Sequence, residues 1–321
     1  MNTMKWLLKR EFWEHKGGFF WTPLVVSVII TVITAGSILF GVIKGGEANI
    51  KINGQVVTNL AEQFTGENKV AAIENITAIS YTSAVTPLLV VLSFTVFFYC
   101  LNALFDERKD RSVLFWKSLP VTDGATVFSK VAVALGLAPL ITLSFGIILA
   151  LLEVLFISLG AAAGGINVFG GVLRSASLYL APLQIVAALP IYVLWAMPTV
   201  GWLLMVGAWA RSKPFLWAVG TPLLAVGLIA WFNKILSFGW DINWMWKYIV
   251  GRGLLSLTPG SWFAYSRDDV NRLSRMDHLD MGSLLTQSWQ QLTTPNLWIG
   301  VVIGAAMIYA AIRLRRWKDE G

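Results

Sequence analysis

The sequence predicts an all-α polytopic membrane protein, and three observations predict it. Hydrophobic residues make up 56% of the 321 residues and charged residues only 13%, against roughly 25% charged in soluble domains. The mean hydropathy is +0.66. The apolar residues gather into six runs, at residues 19–43, 84–105, 131–156, 178–210, 214–232 and 297–312, each of about the length that a helix needs to cross a bilayer. The net charge of +7 reads as basic flanks set against anionic lipid headgroups rather than as a nucleic-acid footprint.

Residues 1–18 precede the first span and predict an amphipathic interfacial helix. Met4, Leu7, Leu8 and Phe12 fall on one helical stripe. Trp6 and Trp13 flank it, and Lys5, Lys9 and Arg10 supply cationic anchors. Gly17-Gly18 allows a sharp turn into the first span. That span lies too far from the N-terminus, and is too long, for a secretory signal. Residues 44–83 read as a polar outer loop. Between the second and third spans stands the charged segment 106–123, which carries Phe115, Trp116 and Leu119 among its charges. The fourth run holds Pro182, Pro190 and Pro198, so it is either kinked or begins in the interface. Residues 233–296 form a second outer loop, with Trp240, Trp244, Trp246 and Trp262 suited to short helices at headgroup level. Gly300 and Gly304 give the last span a small-residue face for close packing.

Orientation follows from the basic residues. Short segments at one set of span ends hold Lys5, Lys9, Arg10 and Lys16, then Arg108, Lys109, Arg111, Lys117 and Lys130, then Arg211 and Lys213, then Arg313, Arg315, Arg316 and Lys318. The positive-inside rule puts these segments, and both termini, in the cytoplasm. Splitting the fourth run into two spans would place the basic C-terminus outside, so six spans are preferred. The whole chain, 1–321, reads as one transmembrane domain.

Signatures of soluble-type catalysis are missing. The two histidines, His15 and His278, lie outside the spans, and neither a His-Glu-x-x-His motif nor a Cys/His cluster with metal-ligand spacing occurs. No catalytic or metal-binding residue is expected. The glycine-rich stretch from Gly41 to Gly46 lacks the Gly-Lys-Ser/Thr ending of a phosphate loop, so the chain is not expected to bind ATP. The lone Cys100 excludes an internal disulfide. Glu153 is the one acid well inside an apolar run, where a carboxylate costs several kcal/mol unless it is hydrated, paired or protonated. It reads either as a point in a gate or substrate path or as a structural hydrogen bond. Asn102 and Gln184 are weaker candidates of the same kind.

The charged segment carries a resemblance. Asp106-Glu107-Arg108, then Val113-Leu114-Phe115-Trp116, then Ser118-Leu119-Pro120-Val121-Thr122 resemble the stretch after the second span in permease subunits of type-2 ATP-binding-cassette (ABC) exporters. The N-terminal Lys9-Arg10-Glu11, the six-span plan and the long loop before the last span are similar as well. One departure is Arg111-Ser112, where the family often has a Gly-Thr pair. The resemblance implies a cytoplasmic coupling helix from Glu107 to Leu119, seated in a groove of a separate ATPase. Phe115, Trp116 and Leu119 would fill the groove, and Arg108, Lys109 and Arg111 would pair with its rim. The N-terminal helix, through Lys9, Arg10, Glu11 and Trp13, would join that contact. It further implies two ATPase subunits that carry the ATP and magnesium, a second permease copy or a related permease packed against spans 2 and 5, and a bacterial inner membrane.

An ABC exporter permease is thus the leading expectation, and no nucleic-acid partner is expected. An apolar path with few charges suits an amphipathic, lipid-like, peptide or drug cargo. The alternative is an ion- or proton-coupled secondary transporter acting without an ATPase, which would need carboxylates at mid-membrane. Third comes an intramembrane enzyme, disfavoured by the lack of buried histidine and paired acids.

Overall fold

The computed structural model describes residues 3–43, 50–52, 55–57, 69–110, 121–163, 165, 167–265 and 281–317. Among the described residues, six helices are long and apolar enough to cross a membrane: Gly17–Ile43, Ile76–Lys109, Asp123–Ala163, Ala176–Trp209, Pro214–Leu236 and Pro295–Trp317. They are numbered here as spans 1 to 6. The protein is therefore a membrane-embedded, multi-pass helical protein; the end of the bundle where the N-terminal helix, the end of span 2 and the end of span 6 meet is called the terminal face. Besides the helices there is one short antiparallel hairpin, Ile50–Ile52 with Gln55–Val57.

The N-terminal helix Thr3–Glu14 turns Leu7 and Glu11 into the protein and leaves Trp6 and Trp13 exposed. It joins span 1 through a π-helical turn, Gly17–Trp21. Gly17 and Gly18 are not among the positive-φ glycines, so no left-handed turn is made there. Gly18 matters for contact instead, since a Cβ would lie 3.0 Å from Thr95 Cγ2 on span 2.

The second helix is longer than the sequence suggested. It runs Lys69–Asn102, so residues 69–83, read as outer loop, are helical. Their polarity misleads because much of it is turned inward on the backbone. Thr77 and Thr82 donate to the carbonyls of Ile73 and Ala78, at 2.9 and 2.8 Å, a pattern that lets hydroxyls sit in an apolar helix. Tyr81 is fully buried and donates to Leu178 O at 3.0 Å. Span 3 also exceeds its expected limits. It begins with a helix Asp123–Ala132, passes a π-helical turn Val133–Leu137 and continues as Ala138–Ala163.

The fourth run is broken near its middle. Helix Ala176–Ala187 stops at Ala188, and Leu189–Trp209 restarts with Pro190 in its first turn. Proline has no N–H to donate and its ring crowds the preceding turn, so the axis breaks there. The described part of residues 233–296 contains the short helices Ile242–Met245, Arg252–Leu255 and Met281–Gln290. Trp262 is buried in this layer, its indole N–H donating to Ser288 Oγ at 3.1 Å, while Trp240 and Trp244 are exposed.

Spans 2, 3, 4 and 6 form the core. Spans 4 and 6 cross at glycine: a Cβ on Gly201 would stand 2.5 Å from Gly304 O, and one on Gly304 would stand 2.6 Å from the Met197 carbonyl. The small face of the last span therefore packs within the chain. Spans 1 and 5 lie outside, with only Pro23 and Gly41 buried along helix Thr22–Ile43, and only Ala218 and Val226 along Pro214–Leu236.

The crossing gives a direct test. Gly304→Leu should lower unfolding stability in detergent by about 2 kcal/mol or more, since an overpacked core costs roughly 1–3 kcal/mol and the obstacle here is backbone. Gly220→Ala, with nothing within 4 Å of the added Cβ, should leave stability unchanged or slightly raised. Equal effects would contradict the crossing.

Candidate functional site

At the terminal face, four parts of the chain meet in a buried cluster of charges. Glu11 comes from the N-terminal helix, Glu107 from the short helix Phe105–Lys109, Lys130 and Asp123 from helix Asp123–Ala132, and Arg315 from the last turn of helix Pro295–Trp317. Lys130 is 1% exposed. Its Nζ lies 2.9 Å from Glu11 Oε1 and 2.9 Å from Glu107 Oε1. Arg315 reaches Glu107 at 3.1 Å through Nη2 and Asp123 at 2.9 Å through Nη1. Arg10 pairs with Glu11 and approaches Glu107 at 3.4 Å. Glu14, more exposed, also lies 3.5 Å from Arg10 Nε, so each of these buried charges has at least one partner of opposite sign. Removing charges from water costs several kcal/mol per ion, so such a cluster persists only when each member is paired.

Local chemistry sets each member in place. Thr122 is the N-cap of helix Asp123–Ala132, its hydroxyl accepting from Ala125 N at 3.2 Å, which fixes where the chain re-enters span 3. Asp123 lies in the first turn of that helix and Lys130 in its last, the favourable ends for each sign of charge. Lys130 is seven residues on from Asp123, two turns along one helical face. Tyr99, on span 2, donates its hydroxyl to Glu11 Oε2 at 2.9 Å. His15 and Phe19 pack edge-on against the Tyr99 ring at 4.7 and 5.0 Å.

Burial alone would raise the Glu11 pKa. The Lys130 charge and hydrogen bond, then Arg10 and the Tyr99 hydroxyl, outweigh it, and the carboxyl is held below its ordinary value. Glu11, Glu14 and His15 also bring ligand-type atoms within 4.8 Å of one another. Both Glu11 oxygens already accept from Lys130, Arg10 and Tyr99, so the arrangement suits an ion network better than a bound cation.

Arg108 acts beside the cluster. Its Nη2 donates to the carbonyls of Gly207 and Ala210, each at 2.7 Å, closing the C-terminal end of helix Leu189–Trp209 where a cation complements the helix dipole. Gly207 also lets span 2 lie close against this helix end, because a Cβ there would stand 2.6 Å from Leu101 O.

Of the residues singled out from sequence, Arg10, Glu11 and Glu107 come together here. Lys9 and Trp13 are exposed on the N-terminal helix, Lys9 Nζ lying 5.4 Å over the Trp6 ring. Arg111, Phe115, Trp116 and Leu119 lie outside the described residues. Asn102 is half-buried at the end of its helix. Glu153 stands apart from all of these, 23 residues beyond Lys130 on span 3, on the order of 30 Å along a helix. It is buried and accepts from Ser83 Oγ at 3.0 Å. Lys130, Asp123, Arg315 and Tyr99 were missed as site members. One signal was available: Glu11 lies four residues after Leu7, on the apolar stripe, and an acid on a buried stripe requires a cationic partner. Comparison with protein-family models, with curated proteins and with solved structures gives no match.

Two outcomes follow. Lys130→Met should destabilise the protein by about 2–3 kcal/mol, because it removes a charged hydrogen bond from the buried Glu11 and leaves Glu11 and Glu107 with only their arginine and tyrosine partners, and adding Glu11→Gln should recover part of the loss. The Glu11 carboxyl has its pKa lowered on folding, so its contribution is present above the unfolded value of about 4.3 and is lost as pH falls through the folded value. Wild type should therefore lose stability below pH ~4 more steeply than Glu11→Gln. Parallel acid curves for the two would remove Glu11 from the network.

Proposed function

We propose that this chain is the membrane-spanning permease subunit of an ATP-driven ABC exporter, moving an amphipathic or hydrophobic substrate across a bacterial cytoplasmic membrane. One observation carries the reading. Arg315 holds Glu107 at 3.1 Å and Asp123 at 2.9 Å, so the two feet of segment 111–120 are clamped to the end of span 6. Lys130 ties the same structure to Glu11 and the N-terminal helix. A segment that transmits force needs rigid feet, and this one has them on both sides. Arg108 links its entry side to the end of span 4 as well. Motion applied to the segment would pass to spans 2, 3, 4 and 6 together.

In this reading the terminal face is cytoplasmic, the N-terminal helix is interfacial, and the segment Glu107 to Leu119 is the coupling helix. Phe115, Trp116 and Leu119 are the groove-filling anchors, as apolar groups within a charged loop usually mark a contact. ATP and magnesium belong to two copies of a partner ATPase. The outlying position of span 5 supports a second permease copy beside it. Phe98 on span 2 stacks with Phe215 on span 5 at 6.3 Å, and neighbouring Phe94 and Trp217 are exposed, so spans 2 and 5 present one continuous apolar face. The alternative, an ion- or proton-coupled transporter without an ATPase, rests on Glu153, buried with Ser83 as hydrogen-bond donor.

The test is co-purification of an ATPase together with substrate-stimulated hydrolysis. Phe115→Ala with Leu119→Ala should leave the permease in the membrane and reduce ATPase recovery, because buried anchors of this kind are worth about 2 kcal/mol or more. Lys247→Ala in the outer loop is the control. Normal recovery and normal stimulation in the double variant would sink the coupling assignment. Glu153→Gln should keep ATPase recovery and basal hydrolysis; transport without any ATPase, abolished by Glu153→Gln, would favour the alternative.

A further inference from the structure

Where the N-terminal helix turns into span 1, one lysine is held among three aromatic rings. Lys16 Nζ lies 4.8 Å from the centre of the Trp13 ring, 5.8 Å from that of Phe20 and 5.9 Å from that of Trp21. A cation within about 6 Å of a ring centre is attracted by the ring. The rings are themselves braced, since Phe20 packs edge-on against Phe145 of span 3 at 5.4 Å and against Trp21 at 5.7 Å. The fold therefore places the ammonium instead of leaving it to sweep through solvent. Among the described residues Lys16 has no carboxylate partner. Arg10, by contrast, is taken up by Glu11, Glu14 and Glu107. The corner is open outward, with Trp13 58% and Trp21 52% exposed. From Trp21 an apolar stripe runs on through Val25, Val28 and Val32, at the four- and three-residue spacing of one helical face, and each of these is exposed.

We infer that this corner is a binding site for an anionic phospholipid, with the lipid phosphate on the Lys16 ammonium and the acyl chains along the stripe from Trp21 to Val32. An ammonium is donor only, and with no carboxylate at hand its natural partner is an anion from outside the chain. The stripe lies within the spanning helix Gly17–Ile43, where a free phosphate or an acidic soluble protein cannot follow. Fixed charge and apolar length together therefore select a lipid. Tryptophans at the boundary of the two suit headgroup depth. The site differs from the cationic anchors that the sequence suggests, because Arg10 is committed inward and Lys16 takes its place. Binding here also bears on the ion cluster. The helix that carries Trp13 presents Glu11 on its inner side, 2.9 Å from Lys130, so a lipid that holds the helix to the bilayer holds Glu11 in the network. The inference rests on the interfacial placement of the N-terminal helix in the proposed function, but it requires no ATPase.

The experiment uses the purified full chain in a neutral detergent, titrated with phosphatidylglycerol. Phosphatidylcholine with the same acyl chains is the neutral comparison, and glycerol 3-phosphate is the anionic headgroup without tails. The readouts are the melting temperature and the position of crosslinks from a phosphatidylglycerol with a diazirine in its acyl chain. Phosphatidylglycerol should raise the melting temperature saturably and at lower concentration than phosphatidylcholine, glycerol 3-phosphate should have no effect, and crosslinks should fall on residues 21–32. Lys16→Gln should raise the half-saturation of phosphatidylglycerol about fivefold, the worth of one cation near an anionic headgroup layer, and leave phosphatidylcholine unchanged. Lys16→Arg should keep the wild-type value. Lys213→Gln removes an exposed cation at the start of span 5 and should change neither lipid. Equal responses to the two lipids would overturn the inference. So would equal losses in Lys16→Gln and Lys213→Gln, which mean diffuse charge, and saturation by glycerol 3-phosphate, which means a free-phosphate site. Crosslinks confined to other spans would overturn it as well. A failure here leaves the ATPase-coupling reading intact, and a missing ATPase leaves these outcomes intact.

Discussion

The arrangement of the terminal face depends on one buried lysine. Lys130 sits between Glu11 and Glu107, 2.9 Å from each, and it cannot lose either partner cheaply. A buried ion pair gains little over an apolar contact of the same shape, yet breaking one is expensive, because the remaining charge has no water to turn to. That asymmetry makes the cluster a fastener. It adds little to net stability, but it fixes which helix ends belong together. The N-terminal helix, the end of span 2, the start of span 3 and the end of span 6 are held in one register by this set of paired charges.

The two halves of the bundle divide the physical work. Near the termini, charge and hydrogen bonding lock the helix ends, with Arg108 closing the end of span 4. At mid-height, packing is by steric fit, as at Gly201 and Gly304, where backbone meets backbone. Toward the far side, the break at Ala188 and the outer helices leave space, and a cavity lined by Leu89, Leu143 and Phe263 lies there. In the proposed exporter this ordering is useful. In that proposal the clamped end would receive a push and the close-packed middle would carry it onward. Spans 1 and 5, with few buried residues, are free to meet lipid or a second copy.

Much of the fold was legible because spanning helices announce themselves by uninterrupted apolar length. The six spans and the packing face at Gly300 and Gly304 follow from that and from small-residue spacing. Residues 69–83 were not legible as helix, because threonine and serine read as polar although their hydroxyls bond back to their own helix, as Thr77 and Thr82 do. The kink in the fourth run was visible in Pro190; its place at Ala188 came from the structure. Lys130 and Arg315 could be read as cationic anchors at span ends, but their partners are 119 and 208 residues away. Sequence shows that such charges exist and not whom they meet. Only the acid at Glu11, on an otherwise apolar stripe, hinted that a buried partner was required.

The most direct measurement of the central claim is a double-mutant cycle between Glu11 and Arg315, read by denaturant unfolding of the purified protein in detergent. The two side chains do not touch; Lys130 and Arg10 each bridge Glu11 to Glu107, which Arg315 holds in turn. Residues that share a network show interaction energies of about 0.5–3 kcal/mol, whereas independent sites add to within about 0.5 kcal/mol. Glu11→Gln combined with Arg315→Met should therefore depart from the sum of the single losses by about 1 kcal/mol, in the direction of a smaller combined loss. Strict additivity would mean that the N-terminal helix and the end of span 6 are fastened separately, and the single-fastener account would fail.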